Sequence, residues 1–503
     1  MIVLMSRRFR PCSLEQPFFL PPALQDWLPQ DHLARFVADV VEELDLSAIY
    51  CTYERKDGRG QLGYHPLLLT RLLLYAYAKG VSSSRRIEQA TYEDIAFRYL
   101  AANQHPDHDT IANFRKQHLE QLAEIFVQVL RLCQKAGLIK LGNVAIDGTK
   151  ILANASRKRS ATYDKLSESE RYWKDVINRL LAEAQQRDDE EDTLFGKGQR
   201  ESALPPDLAD AARRLDAIRQ AKRDLEREAQ EQVAAAEGEA NALKESRPGK
   251  NSSEEERKQH RQRKERSKKR VQRARANAEK PGRQHNFVDS DSRVMHDNGR
   301  KCAVQAYNAQ AAVDSEAQVV VAAEVTQEVN DKRQLLPMVR SVQGNIGRMP
   351  QVITADCGYW DASELANESL QGAELLVAPD RDIGKEEAEL AANAPRGKIA
   401  AAMRARLKSE EGRALYKVRK STVEPVFGQI KETRGFRRFR LRGFMQVSAE
   451  WKLICLTHNL LKLYRAKIRG GSAGKLDLLR LIWPLWAHVR PLAISLDSLE
   501  AVA

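Results

Sequence analysis

The stretch LGNVAIDGTKILANAS, residues 141–156, decides the fold. It alternates and is rich in β-branched residues, so we read a strand at roughly 143–152. That strand carries Asp147, and Gly148 after it leaves the nearby backbone uncrowded. A second apolar strand, PQVITADCGYW (350–360), runs into Asp356. Between them KCAVQAYNAQAAVD (301–314) and AQVVVAAEVTQ (317–327) flank Asp314, Ser315 and Glu316, which reads as a hairpin turn. DKRQLLPMVRSVQGNIG (331–347) predicts a helix and DASELANESLQG (361–372) a helix capped by Asp361. AELLVAPD (373–380) predicts a strand. Helices follow at about 421–434 and at 450–468, the latter amphipathic.

Outward from this centre the texture changes twice. Residues 1–140 read as all-helical. HPLLLTRLLLYAYAKG (65–80) has Pro66 placed to start a helix and Gly80 to end one. SSSRRIEQATYEDIAFRYLA (82–101) and DHDTIANFRKQHLEQLAEIFVQVLRLCQKAGL (107–138) follow, the second capped by Asp109 or Thr110. Short helices with tight connectors suggest helix-turn-helix architecture. DTIANFRKQH would be its recognition helix, offering Asn113, Arg115, Lys116 and His118 to DNA; a plain helical bundle with a polar face is the alternative. Residues 158–285 form a long charged insertion, a helical hairpin or coiled coil broken near 196–207. From Arg257 to Arg275 it carries eleven Lys or Arg and one Glu, which reads as a solvated or mobile arm.

Apart from that insertion, the order is strand, strand, strand, helix, strand, helix, strand, helix. This is the order of a ribonuclease-H-like fold, an α/β architecture whose first three strands run antiparallel in a mixed sheet. The expected organisation is an N-terminal domain at 1–140, a catalytic domain at 141–465 interrupted by 158–285, and a tail at 466–503.

A chain of 503 residues is too long for one ordinary domain, and 42% hydrophobic residues suffice for a real core. The net charge of +13 and pI near 9.3 favour a polyanionic partner, because Lys and Arg release counterions from phosphates. Charge alone leaves a basic protein with no nucleic-acid role equally open. Six scattered cysteines form no C-x-x-C pair, and no His cluster completes a zinc site, which suits a reducing cytoplasm. No stretch has the length of an apolar membrane helix, and MIVLMSRRFRPC lacks signal-peptide order. A cytoplasmic protein that works on DNA, with no membrane, is the expectation.

Phosphoryl transfer needs a Lewis acid on the phosphate and an activated oxygen nucleophile, which two Mg²⁺ ions about 4 Å apart supply. Mg²⁺ is hard and binds through a few carboxylates. Asp147, Asp356 and Glu424, the last within YKVRKSTVEPVFGQIK (416–431), are the candidates. Lys431 lies seven residues after Glu424, two helical turns on, where it could hold a phosphate. Singly, an Asp before Gly is often a turn residue and a Glu before Pro often belongs to a helix first turn. All three in this order carry the signal. Asp289 and Asp291 read as turn residues, Asp331 as a helix N-cap, and His105 and His108 as loop histidines.

With these motifs in place, the sequence resembles bacterial insertion-sequence transposases of the DDE class. GYHPLLLTRLLLYAYAKGVSSSRRIEQATYEDIAFRYLA, HDTIANFRK, VAIDGTKILANAS, DSDSRVM, YNAQAAVD, VITADCGYW and VEPVFGQIKETRGFRRFRLRG carry the resemblance, which spans most of 10–465. It implies a triad of Asp147, Asp356 and Glu424 holding two Mg²⁺ ions, with Mn²⁺ able to substitute. It implies phosphate contacts from Tyr416, Lys431 and either Arg419 or Lys420, with Arg434, Arg437, Arg438, Arg440 and Arg442 along the DNA backbone. Phe436 and Phe439 are read as packing. The resemblance further implies that the N-terminal domain binds terminal inverted repeats and that a homodimer forms on DNA. The alternatives are a ribonuclease-H-like nuclease without strand transfer and an inactive transposase-derived DNA-binding protein.

Overall fold

The computed structural model describes residues 23–53, 63–195, 206–245, 254–297, 299–379 and 395–469. The expected tail therefore lies outside the described residues from 470 onward, as does most of the expected break at 196–207.

The strands are β1 (Asn143–Leu152), β2 (Ser160–Thr162), β3 (Gln284–Asn286), β4 (Arg293–Asp297), β5 (Cys302–Asp314), β6 (Val320–Thr326), β7 (Val352–Ala355) and β8 (Glu374–Val377). β1 is central in a mixed six-stranded sheet. β5 pairs antiparallel on one side of it, and β4 and β6 pair antiparallel with β5. On the other side β7 and then β8 run parallel. The expected strand at 143–152 and the antiparallel hairpin beside it are present. β4 was not read from the sequence.

The N-terminal helices are α1 (Leu33–Glu42), α2 (Ser47–Tyr50), α3 (Pro66–Ala78), α4 (Ser84–Glu93), α5 (Ile95–Leu100), α6 (His108–Gln117) and α7 (Leu119–Lys135). Pro66 opens α3 as expected, and Gly80 follows it with φ of +78°. Two expected helices are each split. Asp94 caps α5 by accepting from Ala96 N–H at 2.7 Å, which ends α4. Asp107, rather than Asp109 or Thr110, caps α6 by accepting from Thr110 N–H at 2.6 Å.

The insertion contains α8 (Tyr163–Phe195), α9 (Pro206–Glu245) and α10 (Glu254–Glu279). β2 and β3 pair at its base, so the chain leaves and re-enters at one place and the main sheet is undisturbed. Leu166, Ile218, Ala221 and Leu225 form a small core there. The basic run at 257–275, expected as a solvated or mobile arm, is regular helix. It is held to α9 by Arg270–Glu239 and Arg275–Glu237 ion pairs.

The remaining helices are α11 (Leu335–Ile346), α12 (Ala362–Leu365), α13 (Pro395–Lys408), α14 (Glu410–Gly428) and α15 (Phe444–Arg469). One continuous core runs from the N-terminal helices through the sheet to α15. A buried polar network joins these parts. Arg115 donates to Tyr77 Oη at 3.0 Å and to the Ser82 carbonyl at 2.8 Å. Tyr77 donates to Glu450, which also accepts from the backbone N–H groups of Arg440 and Leu441. Arg434 donates to Thr457 Oγ1 at 2.8 Å and to the Ile454 carbonyl at 2.9 Å, and burial lowers it to about 9.

Arg115 and Arg434 were both expected to face DNA. Both are buried, 7% and 5% exposed, with their guanidiniums turned into the protein by these acceptors. We expect Arg434→Ala to lower unfolding stability by about 3 kcal/mol, since it opens a cavity and strips Thr457 and the Ile454 carbonyl of their donor. The exposed control, Arg437→Ala, should shift it by less than about 0.5 kcal/mol. Urea denaturation of both variants checks this.

Candidate active site

Two strand ends build the site. The parallel ladder between β1 and β7 closes on Ile146 and Ala355, and the next residue on each strand is an aspartate, Asp147 and Asp356. Adjacent strands lie about 4.8 Å apart, so register alone makes these carboxylates neighbours. Asp147 accepts from Gly148 N–H at 2.8 Å, and Asp356 from Gly358 N–H at 2.9 Å. Burial first, then the charge of Asp356, push the Asp147 carboxyl up to about 6. Burial also raises Asp356, against the pull of Arg419.

Arg419 reaches in from α14. Its Nη1 donates to Asp147 Oδ2 at 3.2 Å, and its guanidinium lies over the Tyr416 ring, 5.8 Å from the centroid. Lys420 is exposed. Of the two basic residues left open by the sequence, Arg419 is therefore the one at the aspartates. The helix is tied to β1 by Asn143, which donates to the Leu415 carbonyl at 3.2 Å.

Asp331 was read as an N-cap, but α11 begins after Gln334 and Asp331 does something else. Its Oδ1 accepts from Asn308 Nδ2 and Gln310 Nε2, both at 2.7 Å, and lies 3.9 Å from Lys150 Nζ. Its charge helps raise both Asp147 and Asp356. Gln310 accepts in turn from the buried Tyr359 hydroxyl, three residues after Asp356. No local pattern reveals this. The amides of Asn308 and Gln310 come from the strand opposite Gly148 and Lys150, so only the sheet register brings Asp331 into the site.

Glu424 is not brought to the aspartates. It is exposed on α14 and makes no hydrogen bond or ion pair with the described residues. Pro425, inside the helix, lacks the N–H that would bond the Ser421 carbonyl, which accepts from Gln318 instead at 2.8 Å. A π-helical turn at Gln429–Thr433 follows. Its wider winding breaks the two-turn phase expected between Glu424 and Lys431. Lys431 donates to Thr149 Oγ1 at 3.0 Å, beside the aspartates on β1. Tyr416 is half-buried, while Lys116, Arg437 and Arg438 are exposed. Phe436 and Phe439 are buried and pack, as expected. Asp289 accepts from Tyr307 Oη and Asp291 from Phe444 N–H, so both serve as structural ties.

Two hard carboxylates, partly desolvated and repelling one another, fit a divalent cation, which would relieve both penalties. Among the described residues no three His, Cys, Asp or Glu side chains stand close enough together to hold an ion.

Two family models match the chain. One, described as a transposase domain (DUF772), covers residues 22–117, the helices from α1 to α6. The other, described as a transposase DDE domain, covers 381–464, including Arg419, Glu424 and Lys431. The chain thus carries a transposase domain in its helical N-terminal part and a transposase DDE domain in its C-terminal part. No curated protein and no solved structure matches it. A transposase DDE domain implies a phosphoryl-transfer enzyme that binds DNA, and transposases of this type generally use a divalent metal. None of the described helices is long and apolar enough to cross a membrane.

Gly148 is a geometric requirement of this site. A Cβ there would lie 2.4 Å from Gln310 Nε2 and 2.6 Å from Asp331 Oδ1, atoms already held by hydrogen bonds. We expect Gly148→Ala to cost about 1–3 kcal/mol of stability by overpacking, read by thermal unfolding, and to weaken Mn²⁺ binding in calorimetry.

Asp147 gives a pH signature. Its folded pKa, near 6, exceeds the unfolded value, so the folded state binds the extra proton and stability falls as pH rises through that interval. In chelator, Asp147→Asn should therefore melt above the unmodified protein at pH 8, by the equivalent of about 3 kcal/mol, with the gap narrowing below pH 6. Equal melting at both pH values would sink this account.

Proposed function

We propose that the protein is a DNA transposase that binds terminal inverted repeats, cleaves DNA at the element ends and joins the freed ends to target DNA. The observation that carries this is the register-adjacent pair Asp147 and Asp356, half-buried together and met by Arg419 from the helix of the matched DDE domain. Flanked by helices, with four strands in antiparallel pairs (β1, β4, β5 and β6) followed by two parallel ones (β7 and β8), the sheet supports a ribonuclease-H-like catalytic domain.

Asp147 and Asp356 would hold Mg²⁺, with Glu424 as the third carboxylate. Bound Mg²⁺ supplies Lewis acidity toward the phosphate and acidifies a water nucleophile. Arg419 fixes the orientation of Asp147 and offsets part of its charge. Lys431, next to Thr149, is placed to neutralise a phosphate as charge develops there. In the first reaction a P–O bond at the element end is exchanged for a bond to water, and a 3′-OH leaves. In the second that 3′-OH attacks a target phosphodiester, whose own 3′ oxygen leaves.

Five residues beyond Arg419, Glu424 lies about 140° away around α14, so joining the aspartates would require the helix to turn. Asp331 is the rival third carboxylate, because its charge already acts on both of them. Exposed Lys116, Lys420, Arg437 and Arg438 would contact the DNA backbone. Both element ends must be cut together, so the active form would be a homodimer on DNA.

The test is cleavage and plasmid joining of labelled DNA ending in the element's repeat, with Mg²⁺ or Mn²⁺. We expect Asp147→Ala, Asp356→Ala and Glu424→Gln each to lose about 10³-fold or more in rate, the scale of lost transition-state charge stabilisation. Cleavage that survives Glu424→Gln but not Asp331→Asn would make Asp331 the third ligand. Cleavage without joining would leave a nuclease, and binding without cleavage a DNA-binding descendant.

A further inference from the structure

A second basic site lies farther along β1. A cleft of about 530 Å³ is lined by Arg157, Arg159, Arg300, Arg438 and Arg442, together with neutral polar and apolar side chains. The arginines come from three separate segments: the turn after β1, the β4–β5 turn and the strap between α14 and α15. Only the tertiary fold brings them together. No carboxylate lines the cleft among the described residues.

Their partners leave the charge in place. Arg438 donates to the Ala153 carbonyl at 2.8 Å, Arg442 to the Asn154 carbonyl at 3.0 Å and Arg157 to the Ala303 carbonyl at 3.4 Å. Arg300 alone meets a carboxylate, Asp297 at 3.6 Å, and the Arg159 guanidinium has no partner among the described residues. Carbonyls orient a guanidinium fork without neutralising it. Five like charges around one cleft repel, and an anion with several oxygens would remove that repulsion.

We propose that this cleft binds phosphodiesters of the DNA backbone, beyond the reacting bond. The assignment rests on the transposase reading above. Leu152, which lines the cleft, is five residues past Asp147 on β1. That is about 17 Å at strand rise, or about five base pairs at 3.4 Å each. Lys431, bonded to Thr149 and the Lys150 carbonyl, stands between the two places. The cations thus form a track leading away from the aspartates, a shape suited to a continuous strand. Planar forks favour phosphate oxygens over a diffuse anionic surface.

The test compares the full chain with a triple variant, Arg157→Gln, Arg159→Gln and Arg442→Gln, binding a repeat-ended duplex across a salt series. Each lost phosphate contact lowers the slope of log affinity against log salt by about 0.9, so a fall of about 2–3 is expected. The fall should be equal for repeat and random flanks, because the cleft reads backbone. The matching Arg→Lys triple should restore the slope. Calorimetry with inorganic pyrophosphate runs in parallel. An unchanged DNA slope overturns the proposal, and an unchanged slope with lost pyrophosphate binding shows a free-anion pocket instead. Cleavage by the unmodified protein separates the two readings. If it cleaves the repeat end while the slope is unchanged, only the cleft assignment falls. If it neither binds nor cleaves DNA, the transposase reading falls with it.

Discussion

The parallel pairing of β1 with β7 is the constraint on which the rest depends. It ends one residue short of Asp147 and Asp356, so two carboxylates become neighbours in a partly desolvated place. Like charges at low dielectric are costly unless a cation is near. Arg419 supplies one positive charge, which is why α14 must lie across this strand end. The same crowding explains Gly148. Amides from β5 and the carboxylate of Asp331 approach the backbone where a Cβ would stand. Asp331, Gln310 and Tyr359 then link the loop after β7 back to β5, across the strand between them.

The helices around the sheet are positioned by buried polar groups as much as by apolar ones. The Tyr77 hydroxyl sits between Arg115 and Glu450, and Arg434 spans the start of the strap and α15. Each buried donor or acceptor must find a partner, so these contacts admit few relative placements of the N-terminal helices and the sheet. Gly80 packs against the Arg434 backbone, where a Cβ would meet the carbonyl oxygen at 2.4 Å. The match of residues 22–117 to a transposase domain therefore falls on a helical region whose core is continuous with that of the sheet. The insertion differs. Its small base core and the β2–β3 pair let it extend without entering the main one.

Sequence periodicity was most informative where one local rule governed a whole element. The strand at 143–152 has the expected limits, because alternation and β-branched residues persist along it. The hairpin and the helix opened by Pro66 follow for similar reasons. Reading was weaker where a single side chain interrupts a longer pattern. Asp94 stops α4 and starts α5 by accepting backbone N–H groups, although the apolar spacing continues through it. The π-helical turn near Lys431 likewise leaves no periodic trace, yet it alters which residues share a face.

The sequence by itself determined the two aspartates, the order of strands and helices, and the basic balance, because each is local or compositional. Motif order was enough to suggest the transposase class before any geometry. Only the tertiary structure decided which charges are available. Arg115 and Arg434 look like DNA contacts in a one-dimensional pattern, but distant acceptors bury them. Asp331 looks like a cap, but the β5 amides draw it to the aspartates. Arg419 rather than Lys420 meets Asp147, because helix phase turns one inward and the other to solvent. A charge in a sequence carries no direction; its environment is assigned by residues that come from elsewhere in the chain.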